Sequence, residues 1–221
     1  MGSLRELIRT KVPLSTEIYE RTVHARRRRT STRMVTTLLM SQNPIKLDLG
    51  GGYRPGRNGW INVDTSPQAD FYWHLAEPLP FPGDSVDAIY SSHLLEHLTF
   101  EQTQRLLREC LRVLKPGAGI SICVPNARIF IEHYLGLREL PEEFFAWESA
   151  FNNTTRIDAV NYIAYLGSEH RYMFDQENLL HVLRGVGFMS VTARDFDPDV
   201  DLPERDHESV YAVGTKPRTH R

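Results

Sequence analysis

Residues 91–98 read Ser-Ser-His-Leu-Leu-Glu-His-Leu and set two imidazoles and a carboxylate within five positions. The order His93-x-x-Glu96-His97 is that of the inverted zinc-peptidase signature, in which histidines four apart share one helical face. A zinc peptidase needs that spacing inside a long helix and a further carboxylate downstream. Here an apolar run, Val86–Ser91, leads in, and a turn is needed at Ser91-Ser92, so the peptidase reading is set aside. Imidazole is also the natural general base, because its ordinary pKa lies near working pH. His93 and His97 are therefore the first candidates to take a proton from a substrate. His170, in Gly-Ser-Glu-His-Arg-Tyr-Met-Phe, is the next, with Arg171 and Tyr172 able to orient what is bound. The plain alternatives are that Glu96 holds the start of a helix, that His97 is a packed structural histidine, and that His170 and Arg171 anchor a loop.

A second group of residues points to a nucleoside ligand. Leu47-Asp48-Leu49-Gly50-Gly51-Gly52 closes an apolar run, and glycine there lets the chain turn tightly and lets a ligand approach the backbone. Asp64 ends the next run, sixteen residues after Asp48. A carboxylate at that place can accept both hydroxyls of a ribose. The dinucleotide pattern would require glycine at position 55, where this chain has Pro55, and Tyr53–Trp60 is loop-like rather than the start of a helix that cradles phosphate. The expected ligand has no pyrophosphate.

The elements that position these groups follow from periodicity. Residues 1–43 are expected to form amphipathic helical pieces with serine caps at Ser3 and Ser15. They carry the basic run Arg26–Arg29, read as a solvated helix face or as a clamp for an anionic group. From Pro44 short apolar runs alternate with helical patterns: 45–49, 60–63, 70–75, 86–91 and 118–124 as strands, 101–114 as a helix with leucines on one face, 175–188 as another, then two final strands around an acidic loop at 195–208. Such alternation argues for an α/β fold with a doubly wound, mostly parallel sheet. Residues 126–170 break the rhythm with many aromatics and are expected to form a helical lid. The acidic loop misses the calcium pattern at Pro198, Val200 and Asp206 and is read as a solvated loop.

Taken together these segments resemble the class I S-adenosylmethionine-dependent methyltransferases, in the ubiquinone-pathway-like branch. The resemblance runs from about Lys46 to Asn126, through Lys46–Gly52, Asn58–Asp64, Pro78–Leu98 and Leu107–Asn126, with a weaker echo from His170 to Lys216. It implies a Rossmann-like sheet of seven strands with the last antiparallel, and S-adenosylmethionine as cofactor. It also implies roles. Gly50, Gly51 and Gly52 would lie beneath the methionine part, Asp48 would belong to the same cofactor site, and Asp64 would bind the ribose. Trp73, His74 and Leu75 would flank the adenine, and Ser91 and Ser92 would lie near the sulfonium. Many relatives carry an acid where this chain has His74. Some O-methyltransferases hold a divalent ion with Glu-x-x-Glu-His at the position of His93–His97; with His93 in place of the first Glu, no metal is assigned here.

The totals agree with one domain, 44–221, preceded by a basic extension, 1–43. Residues 1–45 carry nine Arg/Lys against three Glu, although the whole chain has a net charge of only -2. Two cysteines, Cys110 and Cys123, make no zinc pattern and are expected to be buried thiols. No apolar run is long enough to span a membrane, and a cytoplasmic location is expected. The expected reaction is O-methylation of a small molecule or sugar/glycan acceptor, with nucleic acid not expected. The alternatives are a nicotinamide-dependent oxidoreductase and a non-catalytic interaction module that keeps the fold.

Overall fold

The computed structural model describes residues 14–145 and 154–218. They fall in two compact units, 1–42 and 43–221. In the first, a single helix, α1 (Leu14–Met40), replaces the expected pieces. Ser15 lies within it and is no cap, while Ser3 lies outside the described residues. Within α1 the side chains of Arg26, Arg28 and Arg29 are exposed and that of Arg27 is half-buried.

The second unit is a seven-stranded sheet in the order β3-β2-β1-β4-β5-β7-β6. Its strands are β1 (Lys46–Leu49), β2 (Trp60–Asp64), β3 (Phe71–Tyr72), β4 (Val86–Ser92), β5 (Leu114–Pro125), β6 (Met189–Ala193) and β7 (Ser209–Thr215). The first five pair in parallel, and β7 runs antiparallel to both β5 and β6. The expected Rossmann-like sheet is therefore present, with the last strand antiparallel. The central strands are covered on both faces, so Leu47, Leu49, Val63, Ile89, Ile120 and Ile122 are all buried.

Strand order reverses between β1 and β4. The carboxyl ends of those two strands diverge there and leave a crevice, which is where open α/β sheets bind ligands. The crossover from β1 to β2 contains no helix; it is the loop 50–59. One carboxylate holds it down: Asp70 Oδ2 accepts from the amides of Gly56 at 2.7 Å and Asn62 at 2.9 Å.

Helix α2 (Phe100–Val113) follows β4 and buries Leu106, Leu107, Cys110 and Val113. Its start is closed by a reciprocal pair: Thr99 accepts from the Gln102 amide, and the Gln102 side chain accepts from the Thr99 amide. Glu96 is therefore not the helix cap. Beyond β5, α3 (Ala127–Tyr134) and α4 (Arg156–Tyr165) enclose their own apolar cluster around Phe130, Ile129, Ala159, Tyr162 and Ile163. The base of this insertion is tied shut where the Ala127 amide donates to Phe174 O at 2.8 Å. Helix α5 (Gln176–Val186) is capped by Asp175 and ends at Gly187, and α6 (Pro203–Asp206) is a single turn in the acidic loop.

That loop departs from the solvated reading. Asp201 is buried and accepts four hydrogen bonds, from Tyr90 Oη (2.9 Å), both Arg194 Nη atoms (2.5 and 2.8 Å) and the Asp197 amide (2.7 Å). Cys110 and Cys123 are free and buried. No helix among the described residues is long and apolar enough to cross a membrane.

Candidate active site

At the switch point the chain leaves β1 through Gly50–Gly52, and a cleft of about 1180 Å³ opens over these residues. Gly50 and Gly52 have φ of +78° and +66°, a conformation that costs other L-residues about 1–2 kcal/mol. The three glycines serve different ends. A Cβ on Gly50 would meet the Leu94 side chain at 2.9 Å, and one on Gly51 would meet Asn62 Oδ1 at 2.6 Å. Only Gly52 faces open space, with nothing within 4 Å of its added Cβ. Close internal packing therefore requires the first two, and the third presents bare main chain to the cleft.

Asn62, which sequence reasoning treated as an ordinary strand residue, holds this loop in shape. It is fully buried, and its Nδ2 donates to the carbonyls of Gly52 at 3.0 Å and Arg54. Ser66 Oγ donates to the same Gly52 carbonyl at 2.6 Å. The signal was a polar side chain in the middle of an apolar strand. Asp64 lines the cleft, and its carboxylate accepts from the Gly52 amide (3.1 Å) and the Ser66 amide (2.7 Å). Each carboxylate oxygen keeps a further lone pair for a hydroxyl. The open main chain at Gly52 beside the Asp64 carboxylate fits the methionine and ribose parts of S-adenosylmethionine.

Asp48 lines a deeper crevice with Gly50, Gly51, Arg54, Arg57 and Ser92. Burial pushes its carboxyl up to about 6; the guanidiniums of Arg54 and Arg57 oppose this, and the carboxylates of Asp64 and Asp70 add to it. The native state thus holds this proton more tightly than the unfolded chain, whose value is near 3.8. The associated stability is fully present below the unfolded value and is lost as pH rises through about 6. The loss amounts to about 2–3 kcal/mol. Asp48→Asn is expected to be more stable than the parent at neutral pH and level with it below about pH 4. Urea midpoints across that range measure it, and parallel profiles would exclude a raised Asp48.

The remaining candidates divide. Ser91 is buried, and its Oγ donates to Leu49 O at 3.0 Å, stitching β4 to β1. Ser92 faces the deeper crevice. Trp73, His74 and Leu75 are not among the cleft-lining residues. Trp73 is buried against Phe71 with its Nε1 donating to Pro78 O, and His74 is exposed with Nδ1 accepting from the Ala76 amide.

The His93–His97 segment is not one helix. His93 has φ +50°, and only Leu95–His97 form a single 3-10 turn, so the two imidazoles do not share a helical face. They share the cleft instead. His170 comes to them from the far end of the insertion. The Glu96 carbonyl accepts from the amides of Arg171 (2.7 Å) and Tyr172 (3.2 Å), and the rings of His97 and His170 stand edge to face at 5.0 Å. The three histidines named from sequence are thus one cluster around Glu96. Burial lowers the His93 pKa well below the usual imidazole range and also lowers that of His170. Burial pushes the Glu96 carboxyl up to about 8.

A family model described as a methyltransferase domain matches residues 60–122, from β2 to β5. A protein of Mycolicibacterium smegmatis described as a "Probable S-adenosylmethionine-dependent methyltransferase" is 31% identical over 129 residues, covering 58% of this chain and 44% of its own. The ubiquinone/menaquinone biosynthesis C-methyltransferase UbiE of Salmonella paratyphi B is 29% identical over 142 residues, covering 62% of this chain and 52% of its own. The chain spans about half the length of these curated relatives. Among solved structures, a SAM-dependent methyltransferase from Methanosarcina mazei superposes with a TM-score of 0.50 at 14% identity, over 83% of this chain and 97% of the other. That likeness concerns the fold.

Proposed function

We propose that the chain is a class I S-adenosylmethionine-dependent methyltransferase that methylates an oxygen of a small-molecule or sugar/glycan acceptor, a reading supported by the methyltransferase-domain match over residues 60–122 and by the similarity to S-adenosylmethionine-dependent relatives. The observation that carries the reading is the pairing of open main chain at Gly52 with the Asp64 carboxylate on one cleft, at the switch point of the sheet. When bound, S-adenosylmethionine supplies a methyl group already activated on a sulfonium. The chain's own residues have the rest to do. Gly50–Gly52 and Asp64 bind and orient the nucleoside, and Ser92 borders the crevice beneath it.

On the other wall the histidine cluster meets the acceptor. Oxygen is favoured because a hydroxyl must lose a proton to become a good nucleophile, and this wall carries groups suited to taking one. His97 is the most open of them, with 38% of its side chain exposed against 10% for His93. Burial keeps His93 neutral and so able to accept. The bound cofactor would supply the methyl group to the acceptor oxygen, with the electron pair of its carbon–sulfur bond leaving on sulfur, while a histidine of this wall would take the hydroxyl proton. Near-attack positioning, at roughly 3–3.5 Å, supplies much of the rate. Phe144 and Tyr162 of the insertion line the same cleft and provide apolar surface against the acceptor.

Calorimetry with S-adenosylhomocysteine tests the reading. Asp64→Ala is expected to weaken binding by about 1–3 kcal/mol. Unchanged affinity would remove Asp64 from the ribose, and tight binding of a nicotinamide cofactor instead would replace the reading.

A further inference from the structure

We propose that the exposed face of α1 docks the chain on duplex nucleic acid, through the backbone phosphates and without regard to base sequence. Docking of this kind fixes where the chain sits, not what it methylates, and does not depend on the methyl-transfer reading.

Charge of one sign sets this helix apart. From Arg21 to Leu47 the chain has six arginines and one lysine, and no Asp or Glu. Arg26, Arg29 and Arg33 follow an i, i+3, i+7 spacing, so they share one face of α1. The row covers about 10 Å of the helix axis. All three are exposed, and so is Arg28. The other side is closed: Ser31 and Val35 are buried, and Val23, Arg27, Met34 and Leu38 are half-buried. The arginine row is therefore what α1 turns outward.

A face that serves only to stay in water mixes both signs. The helices of the second unit are built that way. On α2, Arg105 pairs with Glu101 at 3.4 Å and Arg112 with Glu109 at 2.7 Å; on α3, Arg128 pairs with Glu132 at 2.9 Å. On α1, among the described residues, no ion pair engages Arg26, Arg29 or Arg33. Like charges four residues apart, as Arg29 and Arg33 are, destabilise a helix. An anionic partner removes that cost. Arg28, Arg29, Thr32 and Arg33 border one open hollow, a place for guanidinium forks to grip phosphate. Thr36 and Thr37, exposed one turn further on, add hydroxyl donors of the kind that contact phosphate.

The make-up of this face selects the partner. Single strands are held by bases stacked on aromatic rings, and residues 22–40 contain no Phe, Tyr or Trp. Stable anchoring on a lipid surface needs apolar insertion beside the charge. From Thr22 to Thr37 every exposed side chain is Arg, Thr, His or Ala. A duplex instead offers one phosphate charge per about 1.7 Å of its axis. Phosphate contacts carry no sequence information, so duplexes of unlike sequence should bind alike. The net charge of -2 does not oppose docking, because exposed charges more than about 10 Å apart are largely screened at 0.1 M salt.

Fluorescence anisotropy of the full chain with two short labelled DNA duplexes of unlike sequence tests the surface. Four guanidiniums on phosphates give a log–log slope of affinity against salt of about -3 to -4, a fall of about 100-fold between about 50 and 200 mM. Arg26→Gln/Arg29→Gln/Arg33→Gln should bring the slope to about -1 and weaken binding at least about 30-fold at the lower salt. Arg26→Lys/Arg29→Lys/Arg33→Lys should keep the slope. Glutamine and lysine both favour helix, so α1 is retained in each. Arg105→Gln/Arg108→Gln, at exposed positions on α2, should leave binding unchanged. No duplex binding by the parent at low salt, a slope that the glutamine variant leaves unaltered, or a strong preference between the two duplexes overturns the proposal. So does tighter binding to vesicles of mixed phosphatidylcholine and phosphatidylglycerol with the same arginine dependence. Self-association at low salt that the glutamine variant abolishes, with no duplex bound, would assign the face to a second copy of the chain instead.

Discussion

Asp201→Ala is expected to cost about 3–5 kcal/mol of folding stability, because it breaks a buried ion pair from one side. The Asp201 carboxylate receives both arms of Arg194, the Tyr90 hydroxyl and the Asp197 amide. Removing it leaves Arg194, with 14% of its side chain exposed, as a charge without its counterion. The effect reaches the cleft. Leu202 is the next residue, and Leu202, Glu204, Arg205, His207 and Glu208 form one wall of the cavity. Asp201→Asn keeps the shape and part of the hydrogen bonding, and should fall between the parent and Asp201→Ala. Urea unfolding measures all three. Equal stability of the parent and the alanine variant would mean that the loop 195–208 is not held through this residue.

Gly50→Ala should destabilise the protein by about 2–5 kcal/mol and weaken cofactor binding at the same time. Two costs combine: about 1–2 kcal/mol for a Cβ at φ +78°, and about 1–3 kcal/mol for forcing it against three atoms of Leu94 at 2.9–3.1 Å. The double variant Gly50→Ala/Leu94→Ala separates them, since it relieves the contact but not the backbone. Recovery of part of the loss, with non-additive energies, is the expected result. Full additivity would show that Leu94 is not what confines position 50. Leu94 also lines the cleft, so its displacement narrows the space over Gly51 and Gly52.

Much of this architecture was legible beforehand. Apolar runs at 45–49, 60–63, 86–91 and 118–124 became β1, β2, β4 and β5 with edges shifted by a few residues. Strands buried on both faces show themselves by composition alone. The Gly50–Gly52 turn and Asp64 were legible for a related reason: glycine and a charged residue at strand ends are exceptions to local preference, and exceptions carry information. Where local signals compete, the reading shifted. The stretch 14–40 contains the Ser15 cap read from sequence, yet it forms one helix. The 91–98 stretch has helical spacing, yet it contains a left-handed residue and a single 3-10 turn, because β4 must end and turn before α2 can begin at its own Thr99 cap.

By itself, then, the order of residues determined the sheet, the glycine turn and the acid that faces it, since periodicity and backbone preference act within a few neighbours. Tertiary structure alone decided what the polar side chains do. Asn62 spans back to Gly52 and Arg54, Asp201 joins β4 to the loop before β7, and His170 meets Glu96 and His97 after the whole α3–α4 insertion. The same holds for Trp73, which the resemblance set near the adenine and whose ring packs beside Phe71. The physical reason is that a buried polar group is settled by whichever partner the completed packing brings within hydrogen-bond reach, and that partner stands far away along the chain.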